Sequence, residues 1–159
     1  MFRTYEWSDP YNKDNNRNLR KTPKRAYNCG GYALNTYSWY CPYSEEDDEN
    51  AELWGYDCGF ETEIEAYEKT MYLVSFMVYD FGGKVRMIQR EEDLRPWERL
   101  VLFRVSHDGD FHYIKKMNNG YFHKMGGSKY INRMSKSEVY SDLWCGRYDG
   151  PIVLLAVDD

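Results

Sequence analysis

The hydrophobic period of the chain changes once, at Gly82-Gly83. Before that point Ile64, Tyr67, Met71, Val74, Val78 and Phe81 recur at steps of three and four, the period of one helix face. Thr62 and Glu65 precede the stripe with capping-box spacing, and the glycine pair ends it. The pattern predicts a core-packed helix of about 19 residues. After the glycines the apolar runs shorten to strand length, at 84–89, 100–105 and 111–117. Asn118-Asn119-Gly120 is a hairpin signal, 121–125 is its return strand, and Gly126-Gly127 ends it. Ser135 and Glu138 form a second capping box, for a short helix near 135–144, and 152–157 reads as a closing strand. Helices first and an antiparallel meander after them give an α+β fold.

Upstream, 28–40 reads as another helix. Asn28 is a good N-cap, Ala33, Leu34, Tyr37 and Cys41 keep helical spacing, and Pro42 stops it. Residues 1–27 are rich in Asn, Asp, Lys and Pro without a helical period, and read as an extended arm. The remainder, 28–159, is the size of a single domain. The chain is 18% aromatic, which excludes full disorder. No apolar run reaches the roughly 20 residues of a membrane span, and Met1 to Pro10 is polar. The expectation is therefore a cytoplasmic protein without membrane contact.

The net charge of −5 is unevenly placed. Residues 1–30 hold seven Lys/Arg against three Asp/Glu, and residues 44–68 hold eleven Asp/Glu and no Lys/Arg. No basic face dominates, so direct nucleic-acid binding is not expected. The acidic 45–68 segment suits a solvated loop, or a surface that docks a basic protein partner.

Four cysteines stand at 29, 41, 58 and 145, with no CxxC pair, so neither a metal nor another cofactor is expected. Cys29 follows the N-cap Asn28, in the first turn of the expected helix. There unpaired N–H groups and the positive helix end stabilise a thiolate and can hold an oxyanion. The same place also suits a small buried hydrophobe. Cys41 falls beside Pro42, Cys58 lies in the acidic segment, and Cys145 follows Trp144 with no base near it in sequence. A thiol nucleophile needs a base, usually His. His107 lies in a turn, whereas His112 and His123 lie on adjacent strands of the expected hairpin. A two-residue loop at Asn118-Asn119 puts them on one face, and a shift of one residue separates them. On one face, His112 suits the base and His123 the group that orients it.

Asn28-Cys29-Gly30-Gly31-Tyr32-Ala33-Leu34 resembles the nucleophile helix of NlpC-type cysteine peptidases, a branch of the papain-like fold that usually reads Asp-Cys-Ser-Gly. Arg95-Pro96-Trp97-Glu98, leading into the apolar run Leu100–Phe103, is similar to the turn into that family's first core strand. Phe111-His112-Tyr113-Ile114 is similar to its catalytic-His strand. Asn119-Gly120-Tyr121-Phe122-His123 is similar to the strand of its third polar residue. The stretch 110–126 also resembles small phage and Firmicute proteins of this type, which implies the cytoplasm of a bacterial or phage-infected host cell. Gly30-Gly31 replaces Ser-Gly, and Pro96-Trp97-Glu98 replaces Pro-Gly-Asp. The resemblance implies a papain-like core, with N-terminal helices packed on an antiparallel sheet. It also implies a thiol hydrolase acting on a peptide or isopeptide bond, in which Cys29 attacks, His112 moves the proton and His123 fixes its tautomer. Asn132 or Asn119 stands in for His123 if the register is unfavourable. The oxyanion would be held near Asn28 and Cys29, with a second donor from Tyr27 or elsewhere in the N-terminal segment.

The alternative is a non-catalytic, phage-type binding protein on the same scaffold, inhibiting a host or defence protein through its acidic, aromatic surface. Tyr5, Trp7, Tyr11, Tyr43, Trp54, Tyr56, Trp144 and Tyr148 belong to no predicted core stripe and are the aromatic candidates for that surface.

Overall fold

A computed structural model describes residues 3–5, 27–42, 59–126, 128 and 130–158. Among them, strand β1 (Arg3–Tyr5) comes first, then helix α1 (Cys29–Ala33) and helix α2 (Glu63–Asp80). Strands β2 (Val85–Ile88), β3 (Glu98–Val105), β4 (Phe111–Met117), β5 (Gly120–Lys124) and β6 (Tyr130–Met134) follow. Helix α3 (Lys136–Val139) and strand β7 (Val153–Asp158) close the chain. The strands form one antiparallel sheet in the order β1-β6-β5-β4-β3-β7-β2. The fold is α+β, with few helices.

Alternation along the strands gives the sheet two buried faces. One carries Val101, Phe103, Val105, Phe111, Tyr113 and Leu155, covered by Cys29, Ala33 and Leu34 and by Leu73, Val74 and Met77 of α2. The other carries Leu100, Leu102, Ile114, Tyr121 and Ala156, covered by Val139, Trp144 and Tyr148. Arg104 ties down this second cover. Its buried guanidinium donates to the carbonyls of Ser141, Asp142 and Gly150 and lies over the Trp144 ring. Trp144 and Tyr148 bond each other's backbone at 3.0 Å, which makes the segment between them a tight turn.

Several expectations change. The long helix exists and Thr62 caps it, its hydroxyl accepting from Glu65 N–H at 3.1 Å, but its core face is rotated. Ala66, Lys69, Thr70, Leu73, Val74 and Met77 are buried, whereas Ile64 is 71% and Tyr67 58% exposed. The fully buried Lys69 hides that face from a hydrophobicity pattern. Its long stem packs as an apolar chain, and its ammonium donates to Gly109 O at 3.0 Å.

The 28–40 helix is only α1, five residues long. Thr36 and Tyr37 turn their N–H groups back on Gly31 O, with left-handed Asn35 (φ 56°) and Tyr37 (φ 50°) closing the turn. A Cβ on Gly31 would sit 1.9 Å from Ser38 O, so this reversal requires glycine. The 135–144 helix likewise shrinks to Lys136–Val139, where the Ser135–Glu138 capping box is present and Ser141 bonds back to Glu138 O. Strand β6 was not expected, and neither was the pairing of β1 with it across Arg3↔Asn132, at the tip of the expected arm. The rest of that arm lies outside the described residues.

Candidate active site

Asn28 builds the entrance to the site. Its Oδ1 accepts from Gly31 N–H and Tyr40 N–H, both at 3.0 Å, and its Nδ2 donates to Tyr40 O at 2.7 Å. The side chain is thus an N-cap and a loop clamp, with its Oδ1 and one N–H of its Nδ2 engaged. Cys29 follows, buried, with the backbone N–H groups of Gly30 and Tyr113 turned on its sulfur. Burial outweighs those two donors and pushes the thiol up to about 12. A five-residue helix offers little dipole to oppose this, so the thiol is protonated at rest.

The hairpin register is the favourable one. The β4–β5 ladder pairs Met117 with Gly120, which leaves Asn118-Asn119 as a two-residue loop. His112 and His123 therefore share a face, both buried, with His112 Nε2 2.8 Å from His123 Nδ1. The His112 ring stacks on Tyr148 at 4.9 Å and meets Trp144 edge-on. Burial, then the neighbouring His123, hold His112 well below its ordinary value, and burial takes His123 down to about 4. Both imidazoles are neutral near pH 7.

Cys29 and the imidazole pair reach the site from different sides. Phe111 and Tyr113 face α1 with Cys29, so the intervening His112 is rooted on the opposite face of β4. The β4–β5 ladder stops at Lys115↔Phe122, short of the ends of both strands. Beside that gap Cys29 and His112 wall one cavity of about 150 Å³, together with Asn28, Cys41, Asp110 and Tyr148. Among the described residues, no hydrogen bond joins Cys29 to either imidazole.

The other candidates separate. Tyr27 is fully buried beneath Lys124, which donates to its carbonyl, and Tyr27 does not wall the cavity. Asn132 is buried opposite His123 in the β5–β6 register, with its Oδ1 lacking a hydrogen-bond partner among the described residues. Asn119 lies in the hairpin loop, four residues along β5 and about 13 Å from His123 at strand rise, too far to orient an imidazole. His107 is exposed and pairs with Asp149 at 3.0 Å. Cys58 lies outside the described residues, as do Trp7, Tyr11, Tyr43, Trp54, Tyr56 and the side chain of Tyr5. Trp144 and Tyr148 are buried over the imidazoles, not exposed as partner-binding aromatics.

One residue of this region escaped sequence reasoning. One nitrogen each of His112 and His123 and the Cys145 sulfur all lie within 4.8 Å of one another. The adjacent Trp144 was the available signal, because a large aromatic beside a thiol marks a segment that packs on the sheet. Among the described residues no helix is long and apolar enough to cross a membrane. No family model matches the chain, and no curated protein or solved structure matches it.

Proposed function

We propose that the protein is a thiol hydrolase of papain-like type that cleaves a peptide or isopeptide bond. The observation that carries this reading is the 2.8 Å bond from His112 Nε2 to His123 Nδ1, beside a cavity that Cys29 also walls. With its Nε2 engaged by His123, His112 has Nδ1 left to act as a base. Cys29 Sγ attacks the carbonyl carbon as its proton passes to His112. Collapse breaks the C–N bond, and the departing amine takes that proton. Water, deprotonated by the same imidazole, then splits the thioester and restores the thiol. The Gly30 and Tyr113 N–H groups stabilise the sulfur as it gains charge. The thiol and imidazole close up when substrate, or a small amide electrophile such as iodoacetamide, fills the cavity, as catalytic hydrogen bonds commonly do.

Alkylation of the full chain by iodoacetamide, followed by peptide mass spectrometry at Cys29, tests this. His112→Ala is expected to slow Cys29 labelling about a hundredfold, the scale of a lost general base. An unchanged rate in a folded variant overturns the reading.

One observation favours the binding-protein reading. The start of α2 presents exposed Glu61, Glu63 and Glu68 around exposed Ile64 and Tyr67, an acidic rim on an apolar centre. In that case Cys29→Ser would leave the biological effect intact, while charge reversal at Glu63 and Glu68 would abolish it.

A further inference from the structure

His123 presents an unusual problem inside the fold. Its Nδ1 is engaged by His112, but its Nε2 is buried without a hydrogen-bond partner among the described residues. Across the β5–β6 ladder Asn132 Oδ1 is likewise buried with no partner among the described residues. A buried polar atom left so is costly, and two lie on one register pair. A third group completes the neighbourhood. Cys145 has a left-handed backbone (φ 52°), uncommon outside glycine, and the tight Trp144–Tyr148 turn holds its sulfur close to both imidazoles. Three atoms no more than 4.8 Å apart share a centre within about 2.8 Å of each, and Zn–N and Zn–S bonds are about 2.0–2.3 Å. Small side-chain adjustments therefore suffice to bring all three onto one ion.

We propose that His112, His123 and Cys145 form a binding site for a zinc-type divalent cation, with the fourth position open to water or an external ligand beside Asn132. The donor set selects the metal class: two imidazoles and one thiolate suit a borderline-soft tetrahedral ion, and an oxygen-seeking ion such as Mg²⁺ is disfavoured. The imidazoles are buried and Cys145 is exposed, so the ion enters from solvent on the thiol side. Binding converts the Cys145 thiol to thiolate with release of a proton. This site shares both imidazoles with the acyl-transfer reading, and an ion held by them would replace their 2.8 Å bond, so the metal-loaded form is not the hydrolytic one; the site stands without that reading, because its sulfur is Cys145 and not the proposed nucleophile.

The test is titration of the full, reduced chain with Co²⁺, followed by displacement with Zn²⁺. The expected result is one equivalent bound, with a thiolate-to-cobalt charge-transfer band and tetrahedral visible bands that Zn²⁺ removes. Cys145→Ser abolishes the charge-transfer band, Cys29→Ser leaves it intact, and His123→Gln weakens binding at least tenfold. Cys145 is exposed, so its substitution does not threaten the fold. X-ray absorption of the Zn²⁺-loaded native chain needs no variant, and should show one sulfur and two imidazole nitrogens. No charge-transfer band, a band that survives Cys145→Ser, a band lost in Cys29→Ser, or an all-oxygen or multi-sulfur shell each overturns the proposal.

Discussion

His123 spends its folded life as a neutral imidazole, and this has a consequence in acid. Burial brings its titration down to about 4 from an ordinary 6.5. Between those values the unfolded chain takes up a proton that the folded chain refuses, so stability falls as pH drops from 6.5 to 4 and is complete above that window. The shift corresponds to about 3 kcal/mol, and His112, lowered by burial and by His123, adds to it in the same direction. Urea midpoints at pH 7.5 and pH 4.5 check this, and His123→Gln is expected to flatten the dependence. Both histidines were legible as a pair because strand alternation and a two-residue loop fix their parity. Cys145 was not, because nothing near it in sequence is a base and its neighbours come from strands more than twenty residues upstream. The thiol of Cys29 shows the opposite failure. Its position after an N-cap was read correctly, but protonation depends on burial, and the depth of a residue is a tertiary property.

At the level of elements, local chemistry marked where helices begin and misjudged where they end. Asn28, Thr62 and Ser135 cap three helices as their sequence neighbourhoods indicate. Caps are written in three or four consecutive residues, whereas α1 ends because 34–40 folds back over Gly31, which no periodicity records. Gly31→Ala is accordingly expected to destabilise the protein by about 3 kcal/mol or to prevent folding, because the added carbon meets a backbone carbonyl that cannot turn aside. Gly82→Ala, at φ 59° with open space around it, should cost only about 1 kcal/mol. Thermal unfolding of the two variants side by side separates steric from conformational causes. The rotated core face of α2 has a similar origin: tyrosine and isoleucine counted as inward-facing, and the buried Lys69 counted as outward-facing. Strand β6 was missed because Asn132 and Arg133 interrupt its apolar residues, although Asn132 is buried.

For the whole molecule, the sheet order matters more than any single element. The last strand, β7, lies between β3 and β2, pairing along Leu100↔Ala156 on one side and Met87↔Leu155 on the other. Strand content was readable from the sequence, but this insertion was not, because pairing order depends on contacts between distant segments. A chain ending before Ile152 leaves β2 without its described partner strand and strips one side of β3, so it should lose cooperative unfolding altogether. Removal of residues 1–5, which takes away only the terminal strand of the sheet, should retain a single transition. Calorimetry of both truncations checks the contrast. Arg104 bears on the molecule in another way. It holds the 141–150 segment through three main-chain carbonyls, and a carbonyl is present whatever the side chain. Gly150 is itself restricted, since a Cβ there would come within 2.6 Å of Val105. The carbonyl that Arg104 takes from position 142 does not depend on the side chain there, so that side chain can drift under selection, or be rewritten by an engineer, without releasing the segment that covers the imidazoles, whereas Ser141 also ties the segment through its hydroxyl, which donates to the Glu138 and Leu143 carbonyls.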